Sequence, residues 1–319
     1  MRYARTVCVI TLAAAAACTI PDAKKAKADS VSAIRKADSA AAPSRTQTIT
    51  GFKAPESVRY DSALDVFFVS STNGDEFAKD DNGFISRMRA DGTVDSLFFI
   101  AGGRGGVTLH SPHGLVIIAD TLWVADLDAV RGFNKNTGAL VASVDLQKLG
   151  AVFLNDIAAA PDGSLYITDT GPAPDGKATA TKGDRIFRVG PDHKPSVALH
   201  SDSLGSPNGI TWDARGKRFI IVQWGDTHIL AWRPGDKVAR TIGFGANESD
   251  GVEELADGRL VITSWAEHAL IINHGNQQMI VRGFSAPADF GVDTRRSRLA
   301  IPIMDQDRVE FYALPPLKP

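Results

Sequence analysis

Six turns of this chain each place a side chain that can bind a metal ion or carry a proton just ahead of an apolar strand. These six side chains are Glu56, His113, Asn155, Asn208, Asp250 and Asp289. Carboxylate and amide oxygens are preferred ligands of hard divalent cations, and imidazole exchanges a proton near neutral pH. Six such residues at one place in six repeats predict one shared site.

Four of these residues form an all-oxygen ligand set: Glu56, Asn155, Asn208 and Asp250. Ca²⁺ is the cation that this set favours, with Mn²⁺, Mg²⁺ or Zn²⁺ as alternatives, although a zinc site is expected to contain more His or Cys. Asn, Asp and Glu also satisfy backbone groups at turns. Two carboxylates that face one axis repel each other, however, unless a cation or a proton offsets them. We therefore expect the four side chains to bind a divalent cation.

The elements that must position these residues are short strands. From Thr46 onward, apolar or alternating segments are separated by turns rich in Asp, Asn and Gly, and no long segment has helical periodicity. The six turns recur at intervals of roughly 40 to 57 residues, which is close to the period of a four-stranded propeller blade. This pattern predicts an all-β, six-bladed β-propeller. The extra strand Thr46-Gln47-Thr48-Ile49 is expected to complete the sixth blade and close the ring.

The first residues indicate export. Arg2 and Arg5 precede an apolar run that ends in Ala15-Ala16-Ala17-Cys18, which resembles a bacterial lipoprotein cleavage box. We interpret residues 1–18 as a signal peptide of lipoprotein type, with simple cleavage as the alternative. Residues 19–45 are read as a disordered tether and residues 46–316 as the propeller. The protein is then periplasmic or a membrane-anchored lipoprotein of a bacterium, and it touches the membrane only through a lipid on Cys18.

Composition narrows the range of partners. The 319-residue chain has a formal net charge of −2, so it lacks the basic excess typical of nucleic-acid-binding proteins. Its two cysteines, Cys8 and Cys18, both lie in the leader, and the mature domain therefore contains no disulfide. We expect a monomer that binds a small molecule.

The turn Pro207-Asn208-Gly209-Ile210, the turn Asp250-Gly251-Val252, and Glu56 and Asn155 together resemble the regucalcin/gluconolactonase family of six-bladed propellers. This resemblance implies a divalent ion held by a Glu, Asn, Asn and Asp set, and lactonase activity. The segments Ser111-Pro112-His113-Gly114-Leu115 and Asn155-Asp156-Ile157 are also similar to the paraoxonase relatives. Ser57 and Gly251 depart from the paraoxonase pattern, so the gluconolactonase pattern is the closer one.

The resemblance implies a calcium-dependent hydrolase of a lactone or ester, in which the metal stabilises an oxyanion. Asp250 is then the general base, and His113 is its rival because imidazole titrates near neutral pH. A non-enzymatic propeller lipoprotein that binds a ligand or a protein is the alternative. The role of Asp289 is left open between further ligand and supporting residue. Trp224 and Trp265 are left open between pocket wall and packing between blades.

Overall fold

The structure, a computed structural model, describes residues 42–171, 184–275 and 277–316. These residues form six four-stranded antiparallel sheets, and they contain almost no helix. The predicted all-β six-bladed β-propeller is confirmed. The proposed signal peptide and most of the proposed tether lie outside the described residues, as does nearly all of the loop from Gly171 to Gly183. No helix in the described ranges is long and apolar enough to cross a membrane.

The first three blades are continuous in sequence. The first consists of β2 (Pro55–Asp61), β3 (Val66–Ser71), β4 (Phe84–Arg89) and β5 (Val94–Ala101). The second consists of β6 (Pro112–Ile118), β7 (Thr121–Asp126), β8 (Ala129–Asn134) and β9 (Leu140–Asp145). The third consists of β10 (Leu154–Ala159), β11 (Leu165–Asp169), β12 (Arg185–Val189) and β13 (Pro195–His200).

The fourth and fifth blades are also continuous in sequence, whereas the sixth takes its fourth strand from the N-terminal end of the propeller. The fourth consists of β14 (Pro207–Asp213), β15 (Arg218–Gln223), β16 (His228–Trp232) and β17 (Arg240–Phe244). The fifth consists of β18 (Ser249–Glu254), β19 (Leu260–Ser264), β20 (Ala269–His274) and β21 (Gln277–Arg282). The sixth consists of β22 (Gly291–Asp293), β23 (Arg298–Ile303), β24 (Arg308–Ala313) and β1 (Ser44–Thr50). Short 3₁₀ helices span Gln147–Leu149, Asp202–Leu204 and Met304–Gln306.

The N-terminal strand closes the ring, as predicted. β1 pairs with β24 from Ser44 opposite Ala313 to Thr50 opposite Arg308, and it begins two residues earlier than the sequence suggested. Near the axis, the first and sixth blades are joined by main-chain hydrogen bonds from Val58 N to Asp289 O (3.1 Å) and from Asp289 N to Glu56 O (2.9 Å). The two ends of the propeller are therefore fastened both at its rim and at its centre.

Apolar clusters between neighbouring blades hold the sheets together. Between the first two blades, for example, Phe68 and Ile85 of one sheet pack with Leu122 and Phe133 of the next, and all four are fully buried. Burial of one such side chain contributes about 1.5–3 kcal/mol. Equivalent clusters lie at the other blade junctions of the described chain. The core thus surrounds the axis and leaves the axis itself to polar groups.

A β-bulge opens the innermost strand of the first five blades. In the first blade Pro55 pairs with Ser71 and Val58 with Val69, so two residues face one on the partner strand. The main-chain N–H of Ser57, displaced from the ladder, donates instead to Ser70 Oγ (2.9 Å). The register shifts at the same place in the next four blades. Bulges redirect side chains, and these bulges lie where the inner strands meet the channel.

Candidate metal centre and active site

The bulges place two rings of residues around the channel. In each blade, the residue at which the innermost strand begins to pair, such as Pro55 in the first blade, is called the strand-opening residue. The residues that directly follow it form the first ring, and the next residues along the chain form the second ring. The first ring contains Glu56, His113, Asn155, Asn208, Asp250 and Ala288. The second ring contains Ser57, Gly114, Asp156, Gly209, Gly251 and Asp289.

The sixth member of the first ring is Ala288, and not Asp289 as the sequence alignment placed it. In the first five blades the strand-opening residue pairs with the last residue of the second strand, as Pro55 pairs with Ser71. In the sixth blade Pro287 pairs with Ile303, the last residue of β23. Asp289 therefore belongs to the second ring. Because successive residues of a strand point in different directions, this shift of one position turns its side chain away from the first ring.

Close approach between blades explains the glycines of the second ring. A Cβ atom on Gly209 would lie 2.2 Å from the main-chain oxygen of Asp250, and one on Gly114 would lie 2.5 Å from Asp156 Oδ1. Neither glycine has a positive φ angle, so the requirement is for space and not for backbone conformation. The glycines allow adjacent first-ring residues to approach each other across blade boundaries.

The five polar members of the first ring are all buried and line one pocket on the axis. Their exposed fractions are 4% for Glu56, 2% for His113, 6% for Asn155, 2% for Asn208 and 4% for Asp250. The pocket encloses about 580 Å³ of empty space, including its open mouth. All four predicted metal ligands are thus brought together with His113, whereas Asp289 does not line the pocket.

Each of the four predicted ligands carries a buried oxygen without a hydrogen-bond partner. These atoms are Glu56 Oε2, Asn155 Oδ1, Asn208 Oδ1 and Asp250 Oδ1. A buried acceptor left unpaired costs about 1–3 kcal/mol, and four of them in one pocket are uncommon in a folded protein. Carboxylate and amide oxygens are the donors that Ca²⁺ and similar cations accept. The residues present therefore fit a divalent cation.

The donor set also limits which metal fits. Among residues 42–171, 184–275 and 277–316, no three His, Cys, Asp or Glu side chains cluster in a way that could hold a metal ion by themselves. Any cation at the first ring would depend on the amide oxygens as much as on the two carboxylates. This composition favours an oxygen-seeking ion over zinc.

Burial and like charges dominate the electrostatics of the site. Burial raises the pKa of Glu56 well above its ordinary value, and Asp250, Asp289 and Asp156 raise it further. Burial also raises the pKa of Asp250, followed by the effect of Asp289. The nearby Trp265 indole lowers the Asp250 pKa, although its N–H makes no hydrogen bond of acceptable geometry. Negative charge on the two first-ring carboxylates is thus unfavourable unless a proton or a cation offsets it.

His113 is fixed in one tautomer. Its Nδ1 lies 2.8 Å from the main-chain oxygen of Ser111, which can only accept, so Nδ1 carries the proton and Nε2 is the acceptor. Burial lowers the pKa of His113 to about 4, and the Ser111 hydrogen bond and Asp126 only partly oppose this. The ring also packs edge-on against Phe153, with ring centroids 4.8 Å apart. His113 is therefore a neutral imidazole with a free acceptor nitrogen at neutral pH.

Arg59 crosses the channel next to the second ring. Its Nε donates to Leu115 O (2.7 Å), Nη1 donates to Glu253, and Nη2 lies 3.3 Å from Asp289 Oδ2. Burial opposes its charge, but Glu253, Asp289 and Asp156 outweigh that effect and raise the pKa of Arg59. Asp289 also accepts a 2.5 Å hydrogen bond from Ser57 Oγ. Asp289 is thus a partner of Arg59 and Ser57.

The walls of the pocket contain residues that the sequence analysis left open or missed. Trp224 and Trp265, which directly follow the second strands of their blades, both line the pocket, with ring centroids 5.2 Å apart. The insertion after β3 contributes Glu76 and Phe77, and Met304 occupies the position after β23. Met304 could have been predicted only from its position, because it directly follows the second strand of its blade as Trp224 and Trp265 do. The length of the insertion between Ser70 and Phe84 is typical of a loop that covers a binding pocket, but no pattern in the sequence singles out Glu76 or Phe77 within it.

Comparisons with known proteins agree with this architecture. The chain superposes on a gluconolactonase from Xanthomonas campestris with a TM-score of 0.61 at 18% identity, covering 86% of this chain and 95% of that one. It superposes on a luciferin-regenerating enzyme with a TM-score of 0.60 at 13% identity, covering 85% and 94%. For a virginiamycin B lyase from Staphylococcus aureus the values are 0.57 and 11%, covering 84% and 98%. These likenesses show a shared fold.

No curated protein matches the chain significantly. Residues 80–280, more than half of the chain, match the family described as the SMP-30/gluconolactonase/LRE-like region. This match includes four of the six first-ring positions, from His113 to Asp250. The resemblance inferred from the turns is confirmed, and the chain belongs to the SMP-30/gluconolactonase/LRE-like family.

Proposed function

We propose that this protein is a divalent-cation-dependent hydrolase of a lactone or an ester. The observation that carries the proposal is the set of four unpaired buried oxygens, from four different blades, on the floor of one pocket. Membership of a family that includes gluconolactonase supports a lactonase-type hydrolase at the family level. The fold alone would not decide the reaction, because enzymes named as lactonases and as lyases share it.

Glu56, Asn155, Asn208 and Asp250 would hold the cation, with Ca²⁺ as the ion that suits their donors. When bound, such a cation polarises a carbonyl oxygen and lowers the pKa of water. Ala288, between the blades that carry Asp250 and Glu56, has only a methyl group and supplies no ligand on that side of the ring. The floor of the pocket is buried, with none of its five polar residues more than 6% exposed, and low exposure to water strengthens electrostatic interactions there.

His113 is the residue we assign as proton acceptor. Its Nδ1–H is committed to Ser111 O, and this leaves Nε2 as an acceptor beside the pocket. Asp250 is the alternative base, but one of its oxygens is among the four unpaired atoms that suit a cation. A group that binds a cation is a poorer proton acceptor, which is why we prefer His113 for this role although burial lowers its pKa to about 4.

Calorimetric titration with Ca²⁺ after chelation tests the metal site. We expect one site that Glu56→Gln and Asp250→Asn weaken by at least about tenfold, because each change removes a charge from the ring. Asp192→Asn is a matched control, since Asp192 is an exposed carboxylate on a turn outside the pocket. Absence of binding in the unaltered protein, or equal weakening by Asp192→Asn, would defeat the ligand assignment.

Turnover separates the proposed hydrolase from a binding propeller. Aldonolactones, homoserine lactones and aryl esters should be assayed with and without chelator. His113→Gln should reduce turnover by about 10²-fold or more while it leaves calcium affinity unchanged, because general base catalysis typically contributes this much. Loss of turnover with Asp250→Asn at saturating calcium, together with turnover retained in His113→Gln, would favour Asp250 as the base. Calcium binding without turnover of any substrate would favour the non-enzymatic alternative.

A further inference from the structure

The pocket has a polar floor and apolar walls. The five polar first-ring residues form the floor, and the walls are formed by Phe77, Phe153, Trp224, Trp265 and Met304. Phe77 stacks on Phe153 with ring centroids 4.6 Å apart, and Phe153 in turn contacts His113 of the second blade. Trp265 belongs to the fifth blade, which faces the second across a six-bladed ring. A ligand on the floor would therefore lie beside the aromatic surfaces of the described walls.

The walls offer few hydrogen-bonding groups. The hydroxyl of Thr170 lines the pocket but donates to Pro207 O (2.8 Å). The main-chain N–H groups of Trp224 and Trp265 are engaged by Ser206 O and Glu248 O. Among the described wall residues this leaves the Glu76 carboxylate and the indole N–H groups of Trp224 and Trp265, of which the Trp265 N–H is buried without a hydrogen-bond partner.

This distribution selects against a polyhydroxylated ligand. A sugar lactone would bring several hydroxyls against aromatic and thioether surfaces, and each buried hydroxyl without a partner lowers affinity by about tenfold. Aromatic faces can also stack on sugar rings, but the hydroxyls at the ring edge then still need polar partners. An apolar substituent gains affinity from the same surfaces.

Charge adds a second restriction. Glu56, Asp250 and Glu76 bring three carboxylates to one pocket, and one divalent cation would not offset all of them. An anionic substituent would therefore be repelled at the mouth, where Glu76 lies beside Phe77. The unpaired Trp265 N–H suits an uncharged acceptor such as an ester or ring oxygen.

We infer that the substrate is a neutral lactone or ester that carries an apolar, preferably aromatic, substituent, and that it is not a sugar lactone. This inference rests on the proposed function for the reacting group. It assigns Phe77, Phe153, Trp224 and Trp265 as the residues that determine specificity. The polar floor receives the reacting carbonyl, and the aromatic walls receive the substituent.

Two matched pairs of compounds test the inference. 6-Phenylpiperidin-2-one and glucono-δ-lactam are unreactive lactams of equal ring size, and calorimetry on the calcium-loaded protein measures their binding whether or not the protein is an enzyme. We expect the phenyl lactam to bind at least about tenfold more tightly. Phe77→Ala should weaken its binding several-fold, and Phe77→Leu should weaken it less. Phe77 is 38% exposed on a loop, so these changes are not expected to prevent folding.

Phe244→Ala is the control for loss of an aromatic side chain, because Phe244 is 67% exposed on an outer strand. Equal affinity of the two lactams, tighter binding of glucono-δ-lactam, or an equal effect of Phe77→Ala and Phe244→Ala would overturn the inference.

The corresponding lactones separate this inference from the proposed function. Hydrolysis of δ-phenyl-δ-valerolactone with a higher kcat/KM than that of glucono-δ-lactone, after subtraction of the spontaneous rates, supports both. Preferred hydrolysis of glucono-δ-lactone would keep the hydrolase and overturn the substrate class. Tight binding of the phenyl lactam without hydrolysis of either lactone would keep the apolar ligand class for the pocket and defeat the hydrolase.

Discussion

Replacement of Arg59 by Met should destabilise the propeller by about 3 kcal/mol. The side chain of Arg59 is 19% exposed, that of Glu253 is 18% exposed and that of Asp289 is 3% exposed. Removal of one partner from a buried ion pair costs about 3–5 kcal/mol, because it leaves an uncompensated charge. Partial exposure of the Glu253 end places the expected value at the lower limit of that range.

Equilibrium unfolding in guanidinium chloride measures this change as a shift of midpoint at constant slope. Arg59→Lys should recover part of the loss, because lysine restores the charge but cannot make the forked contacts. The double variant Arg59→Met/Glu253→Gln should lose less stability than the two single variants lose together, by about 1 kcal/mol or more. The reason is that the neutral glutamine no longer needs a cation beside it.

Arg89→Met is the matched control. Arg89 is 62% exposed and lies 3.9 Å from Asp95, so its loss should cost less than about 0.5 kcal/mol. If Arg59→Met cost less than about 1 kcal/mol, or no more than Arg89→Met, the interpretation of Arg59 as the cation that compensates Glu253 and Asp289 would be refuted.

Three further predictions concern other parts of the propeller. Gly209→Ala should destabilise the fold by about 1–3 kcal/mol, because its Cβ would lie 2.2 Å from a main-chain oxygen of the next blade. Gly243→Ala is the control in the same denaturation experiment and should have little effect, because the nearest atom to its Cβ would be 3.8 Å away. Deletion of residues 1–50 removes β1 and exposes the edge of β24, so size-exclusion chromatography should show aggregation, which deletion of residues 1–41 should not cause. Burial raises the pKa of Asp169 to about 6 from 3.8; the folded state therefore holds this proton more tightly, and stability should fall by up to roughly 3 kcal/mol as pH rises from 4 to 6. Asp169→Asn should remove that part of the pH dependence in unfolding measurements, and an unchanged slope would contradict it.

The repeat pattern was sufficient to predict the blades and most of the first ring. Polar turns ahead of apolar strands recur in every blade, and in the first five they coincide with the bulge that opens the inner strand. The sixth was misplaced because Ala288-Asp289-Phe290-Gly291 looks like the other turns when only residue types are compared. A strand period of two makes an error of one residue decisive for side-chain direction, and only the pairing of Pro287 with Ile303 fixes it.

Contacts across the axis were beyond the reach of the sequence. Arg59 and Glu253 are 194 positions apart, and neither belongs to the repeated turn motif. Glu76 and Phe77 lie in an insertion, where no periodicity indicates direction. Trp224 and Trp265 recur at one position, yet the same recurrence would suit packing between blades. Such residues are positioned by closure of the ring, which brings distant segments together without leaving a local pattern.

The charges of the channel connect the fold to the proposed site. Besides Glu76 of the insertion after β3, five carboxylates of the described chain lie along the axis: Glu56, Asp250, Asp156, Asp289 and Glu253. Arg59 contacts Glu253 and Asp289, and main-chain N–H groups of Ile157 and Ile210 donate to Asp156. Of these five, the carboxylates without such a partner are those of the first ring, Glu56 and Asp250. A buried charge destabilises a protein unless an opposite charge or a hydrogen bond compensates it. At Glu56 and Asp250, which lie beside two amide oxygens, a divalent cation is the group that suits this donor set. Because the Arg59 guanidinium contacts Glu253 and Asp289 and neither carboxylate of the first ring, Glu56 and Asp250 keep their oxygens available for a ligand.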